Sequence, residues 1–217
     1  MADIVLPQSA ENPPVAGLHD DLVRLGTATL FEASKLPIAL PSRLRPTWPG
    51  ATAMGRALPV ACVAGDNLAL HVAIERAQAG DILVVDAQNA PHGYWGEVMA
   101  VAAMARGIRG LVIDGGVRDT ARLEALGFPV WSSHVAILGT GKTSSGVIGQ
   151  PIVLGTATVR EGDVVVADAD GVVSMSASEV ARIHQAGLAR EAAEEAHFER
   201  LRAGETTMEI YALPRDV

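Results

Sequence analysis

Short β-branched apolar runs alternate with stretches of helical spacing through the middle of this chain. Residues 82–86, 111–114 and 128–131 are such runs, each entered from a glycine-containing turn, and the pattern predicts buried strands. Between them, 96–106 reads as a helix closed by Gly107, and a shorter helix runs from near Asp119 to Gly127. Strand–helix–strand–helix–strand with such short crossovers predicts parallel pairing with right-handed connections. Residues 87–95, being polar, read as a loop between the first strand and its helix.

The flanks are less regular. Residues 18–35 read as a helix, after which Pro37, Pro41, Pro46 and Pro49 forbid another long one. A strand is predicted over 57–63, then a helix capped by Asp66 or Asn67, running to about Gln78 and ending at Gly80. Segment 139–162 is rich in Gly, Ser and Thr. The runs 164–168 and 172–175, on either side of Ala169, Asp170 and Gly171, predict a hairpin. GDVVV at 162–166 echoes GDILVV at 80–85, the same turn-into-strand chemistry used twice. Residues 177–202 form a long Ala- and Glu-rich helix whose length predicts packing partly on another subunit. With 1–16 as an irregular arm, the chain reads as a single domain over 1–217, of α/β class.

Composition narrows the field. Of 217 residues, 49% are hydrophobic but only 4% aromatic, so small and branched aliphatic side chains must fill a core of helices on a buried sheet. A formal charge of −8 argues against a nucleic-acid partner. The one cysteine, Cys62, excludes an internal disulfide and fits a reducing compartment. No basic leader opens the chain and no run of 18 apolar residues occurs, so a cytoplasmic protein with no membrane span is expected.

The candidate chemistry lies on the strand ends. Ligands of open parallel sheets sit beyond the carboxyl ends of the strands. If 82–86 and 111–114 are neighbours, the loops after them share one rim. Gly96, Glu97, Val98 and Met99 then form a helix start whose outward amides suit a carboxylate. Arg118 adds a planar fork for the same anion. Asp119 offers a hard oxygen ligand for Mg²⁺ or Mn²⁺. On spacing alone, blander readings stand beside these: Asp119 as the N-cap of helix 120–126, Glu97 as a residue favoured at a helix start, and Arg118 as a surface arginine.

GDILVV at 80–85, WGE at 95–97 and RGIRGLVIDGGVRD at 106–119 closely resemble the 4-hydroxy-4-methyl-2-oxoglutarate/4-carboxy-4-hydroxy-2-oxoadipate aldolase family, which includes fold relatives known as regulators of ribonuclease E activity. TATLFEA at 27–33, GDN at 65–67 with His71, GDVVVAD at 162–168 and LRAGE at 201–205 extend the likeness over most of the chain. The family signature is an acidic residue, twenty intervening residues, then Arg-Asp; here it is Glu97 followed by Arg118 and Asp119. The aldolases usually carry Asp at the position of Glu97, and the non-enzymatic relatives lack the Asp after the Arg.

The resemblance implies a layered α/β/β/α swivelling domain with a mixed, partly parallel sheet, assembling as a trimer or hexamer. It implies a metal-dependent pyruvate aldolase that cleaves a 4-hydroxy-2-oxo di- or tricarboxylic acid, decarboxylates oxaloacetate as a side activity, and serves aromatic compound degradation. Arg118, Asp119 and Glu97 would be catalytic, Gly96 to Met99 and Arg118 would bind substrate, and Asp119 would hold the metal. Weaker family-like positions are Lys142 and Glu194, the latter reaching a neighbouring site in a hexamer; His92 is a candidate from its place in the proposed active-site loop alone, either catalytic or substrate-selecting or merely exposed. The alternative is a non-catalytic protein that binds and regulates an RNA-processing enzyme.

Other motifs fall away. AILGTGKT at 136–143 looks like a phosphate-binding loop but lacks the first glycine and the following helix. Asp168, Ala169, Asp170 and Gly171 start like a calcium loop, but an Asp-Gly hairpin turn accounts for them. A Schiff-base mechanism needs a desolvated lysine; the chain has only Lys35 and Lys142, and Lys142 is the sole candidate. No glycine-rich loop supports an adenosyl-dependent methyltransferase.

Overall fold

The computed structural model describes residues 17–215, so the predicted arm at 1–16 lies outside the described residues. In chain order the elements are α1 (His19–Ser34), β1 (Arg45–Pro46), β2 (Ala53–Ala61), α2 (Leu68–Arg76), β3 (Asp81–Trp95), α3 (Glu97–Ala105), β4 (Gly110–Val117), α4 (Thr120–Leu126), β5 (Val130–Val135), β6 (Val147–Ile148), β7 (Ile152–Leu154), β8 (Ala157–Val159), β9 (Val164–Ala167), β10 (Val172–Met175), α5 (Val180–Arg202) and α6 (Thr207–Ile210).

The mixed α/β architecture with a curled sheet follows the sequence reading. Strand order is β1-β5-β4-β3-β2-β9-β10, with β2 through β5 mutually parallel and β9 antiparallel to β2. Period-two alternation divides the sheet's side chains. Leu83, Val85, Leu111 and Ile113 face the helices α2 and α3, while Ile82, Val84 and Val112 face the small β7–β8 sheet. Burial on both faces is why these strands are unbroken apolar runs. A third cluster, including Leu22, Leu30, Val166, Val173 and Ile183, joins α1 and α5 to the β9–β10 hairpin.

Three local predictions change. The helix predicted over 18–35 is broken at Gly26 (φ 75°, ψ 164°). Its freed amide at Thr27 donates to Asp168 Oδ2 at 2.7 Å, and the Thr27 hydroxyl donates to Oδ1 at 2.7 Å. The Asp168 carboxylate also receives the amides of Asp170 and Gly171, so its oxygens serve the hairpin turn and the helix break. The strand expected at 57–63 is displaced to Ala53–Ala61, and the helix after it stops at Arg76.

The largest correction is at 87–95, predicted as a loop. It continues β3 as a bulged strand: after Asp86 opposite Asp114, the partners are Ala90 with Gly115, Gly93 with Gly116, and Trp95 with Val117. Gln88 and Asn89, both at positive φ, turn the extra residues outward. The bulge lies so close on β4 that a Cβ on Gly116 would overlap His92 O. The twin turns are real: Gln78 N donates to Asp81 Oδ2 and Arg160 N to Asp163 Oδ2, each at 2.8 Å.

Candidate active site

Because Trp95 pairs with Val117, the residues that follow them, Gly96 and Arg118, emerge side by side at the carboxyl end of the sheet. The Arg118 amide donates to Trp95 O at 2.9 Å, which fastens the two strand ends together. A cleft of about 290 Å³ opens there, and Gly96, Val98, Met99, Arg118, Asp119 and Lys142 all line it. The shared rim is therefore present as the strand pattern predicted.

Asp119 occupies the N-cap position of α4 but makes no side-chain cap bond there. Its backbone is left-handed (φ 58°, ψ 33°), a conformation costing a non-glycine residue roughly 1 kcal/mol or more. That turn aims the carboxylate across the cleft, where Oδ2 accepts from the Glu97 amide at 3.1 Å. The same oxygen lies 3.9 Å from Arg118 Nε. Oδ1 accepts no hydrogen bond from any described residue. Gly96 makes room for this: a Cβ there would overlap Asp119 Oδ2 and lie 3.2 Å from Arg118 Cγ.

The expected anion cradle is thus narrower than predicted. The Glu97 amide already serves Asp119, leaving the helix start at Val98 and Met99 as the open part. The Glu97 side chain is exposed and is not among the groups lining the cleft. Glu194 lies on α5 and pairs with Arg190 at 2.8 Å, outside the cleft of its own chain. Lys142 lines the cleft but is solvent-exposed, which removes the desolvation a Schiff-base lysine needs.

His92 is a strut. Its Nδ1 lies 3.0 Å from Gly139 O, and the neighbouring Gly93 amide donates to Leu138 O at 2.7 Å. Together these contacts hold the 136–143 loop beside the rim. No helix follows that loop, which ends the phosphate-loop reading. Asp66 ties down its far end: Oδ2 accepts the Thr143 amide at 2.6 Å and hydroxyl at 2.8 Å, and Oδ1 accepts the Leu68 amide at 3.0 Å. The backbone hydrogen bonds from Leu68 and Thr143 hold the Asp66 carboxyl down at about 2.

Three further lining residues were not singled out for chemistry by the sequence reading. Asn67, His71 and Trp95 line the cleft, and each has a buried polar atom without a partner among the described residues: Asn67 Oδ1, His71 Nε2 and Trp95 Nε1. Burial, and then the charge of Lys142, lower the His71 pKa. The available signal was the spacing of Asn67 and His71, one helical turn apart at the start of α2. Among the described residues, no cluster of three or more His, Cys, Asp or Glu is placed to hold a metal. No described helix is long and apolar enough to cross a membrane.

Comparison with known proteins shows the family. Residues 16–174 match the family model described as RraA-like, Aldolase/RraA. A protein of Halalkalibacterium halodurans named "Putative 4-hydroxy-4-methyl-2-oxoglutarate aldolase" is 34% identical over 158 residues, covering 72% of this chain and 75% of its own. An uncharacterized protein from Pseudomonas syringae pv. tomato shares the fold, with a TM-score of 0.81 at 23% identity over 97% of this chain and 99% of its own. The RNA-processing inhibitor RraA from Thermus thermophilis aligns with a TM-score of 0.64 at 25% identity, over 70% of this chain and 92% of its own. The chain belongs to the RraA-like Aldolase/RraA family.

Proposed function

We propose that this protein is a divalent-metal-dependent lyase that cleaves a 4-hydroxy-2-oxo di- or tricarboxylic acid and releases pyruvate. The observation that carries the reading is the left-handed Asp119, whose carboxylate is turned away from its own helix and into the cleft beside Arg118. A helix cap alone gives no reason for that backbone strain. The name of the Halalkalibacterium halodurans relative supports the same reaction class.

The donor set fits a hard cation. Mg²⁺ commonly keeps several waters and binds through one or two carboxylates, so the lack of a three-residue cluster is no obstacle. Asp119 would hold the ion, using the Oδ1 that no described residue occupies. When bound, Mg²⁺ or Mn²⁺ supplies Lewis acidity toward the keto and carboxylate oxygens of a 2-oxo acid.

The chain's own groups do the rest. Arg118 receives the substrate's carboxylate and steadies negative charge that develops on the keto oxygen. The start of α3 at Val98 and Met99 adds the positive end of a helix dipole. Lys142 offers a further cation to a substrate carboxylate. Oxaloacetate decarboxylation requires the same enolate and follows as a side activity. Assembly as a trimer or hexamer would cover Val98 and Ile137, apolar side chains 82% and 89% exposed, and is the arrangement in which Glu194 could serve a neighbouring cleft.

The test is pyruvate release from a panel of 4-hydroxy-2-oxo acids, with and without EDTA, for wild type and Asp119→Ala. Release that needs both the metal and Asp119 is the expected result. Equal rates in all four conditions would reject the mechanism. The likeness to the Thermus thermophilis inhibitor favours a second reading, a non-catalytic regulator that binds an RNA-processing enzyme; it gains if no acid is cleaved.

A further inference from the structure

The cleft has two chemically different walls. Arg118 and Lys142 are donors only. They suit the keto and carboxylate oxygens of a 2-oxo acid, which can only accept. The lining contributed by the start of α2 carries acceptors that these oxygens cannot satisfy, while Trp95 Nε1, also unpartnered in the lining, is a donor.

Asn67 fixes the sense of that wall. Its Nδ2 donates to Tyr94 O at 2.9 Å and lies 3.6 Å from Met99 Sδ. Both of those partners are acceptors, so the amide cannot be flipped, and Oδ1 is left as an acceptor. The residue is 5% exposed, and Oδ1 has no partner among the described residues. His71 lies one turn further along the same helix face, with Nε2 also buried and unpartnered. Burial and Lys142 favour its neutral form, which in the Nδ1–H tautomer makes Nε2 an acceptor. A buried polar atom without a partner is destabilising, and two in the lining of one cleft, one at the N-cap of α2 and one a turn further on, call for a donor from a bound molecule.

We infer that Asn67 and His71 form a hydroxyl subsite, in which the single O–H of the substrate's C4 hydroxyl is held in a three-centre hydrogen bond between Asn67 Oδ1 and His71 Nε2, and His71 Nε2 then takes the proton. This rests on the lyase reading above. The hydroxyl is the one hydrogen-bond donor of an ionised 4-hydroxy-2-oxo acid. Its O–H proton passes to Nε2 and the oxygen closes a C4 carbonyl. The C3–C4 bond breaks, and its electron pair becomes the C2–C3 double bond of the pyruvate enolate, with the negative charge on the C2 oxygen. Proton return to C3, from the imidazolium or water, gives pyruvate and restores neutral His71.

Decarboxylation of oxaloacetate forms the same enolate without removing a hydroxyl proton, and that difference supplies the test. The full-length protein with Mg²⁺ is assayed on 4-hydroxy-4-methyl-2-oxoglutarate and on oxaloacetate, for wild type, His71→Gln and Asn67→Ala. Pyruvate binding is measured in parallel by calorimetry. His71→Gln is expected to lose about a hundredfold or more in kcat for the hydroxy acid, the usual worth of a general base. It keeps oxaloacetate turnover within about threefold and binds pyruvate as wild type does. Asn67→Ala is expected to raise KM for the hydroxy acid roughly tenfold, the loss of one hydrogen bond. Parallel loss of both activities, or undiminished cleavage in His71→Gln, overturns the subsite while leaving the lyase reading intact. A wild-type protein inactive on both acids overturns that reading and the subsite with it.

Discussion

Gly96 and Asp119 are matched by contact: a Cβ on the glycine would overlap Oδ2 of the aspartate. Since the obstructing atom is the tip of a side chain, Gly96→Ala should fold, with the carboxylate displaced. The expected outcome is a melting temperature within a few degrees of wild type and at least a tenfold loss of pyruvate release. An unaltered rate would show that the position of the carboxylate is unimportant.

Asp119→Asn separates charge from shape. Asparagine tolerates the left-handed backbone and can still accept from the Glu97 amide. Stability should change by less than about 1 kcal/mol in denaturant titration. Turnover and Mg²⁺ affinity, measured by calorimetry, should both fall, turnover by on the order of a hundredfold or more.

Asp66 should make the protein acid-sensitive. Its folded pKa of about 2 lies below the ordinary carboxyl value of 3.8. The stability it contributes is therefore present above the unfolded value and is lost as pH falls from about 4 toward 2. The stability difference between wild type and Asp66→Asn, measured by chemical denaturation, should be largest above about pH 5 and shrink below about pH 3. A constant difference across that range would contradict this account.

Arg43 answers a buried charge on the face of the sheet away from α2 and α3. Its Nε and Nη2 donate to the two oxygens of Asp114, at 2.8 and 2.5 Å. Asp114 is 4% exposed. Arg43→Ala should destabilise the fold by about 2–3 kcal/mol, because it strands the carboxylate. The double variant with Asp114→Asn should recover part of that loss. Simple addition of the two single effects would mean that the pair is not coupled.

Much of this site was readable because its parts are local. Gly96 to Met99 and the Arg118–Asp119 pair each follow a strand in a strand–helix unit, and adjacent parallel strands put their ends together. The bulge of β3 was not readable: Gln88 and Asn89 adopt positive φ, and Gly115 and Gly116 make room for it, a packing relation between segments. Glu97 was placed by spacing, but spacing does not say which way a side chain at a helix start points. The Asn67–His71 wall was hidden because its meaning lies in what the two groups lack, which only the packed structure reveals.

The bond between Thr27 and Asp168 spans 141 residues of chain, and between its ends lie nearly all the strands of the main sheet. Closure over such a separation carries a loop-entropy cost that local contacts do not offset. The break at Gly26 therefore finds its lasting partner only when the β9–β10 hairpin has docked on β2. The tie thereby couples the first helix to the completion of the sheet, because the second half of α1 keeps its anchor only while that hairpin is docked.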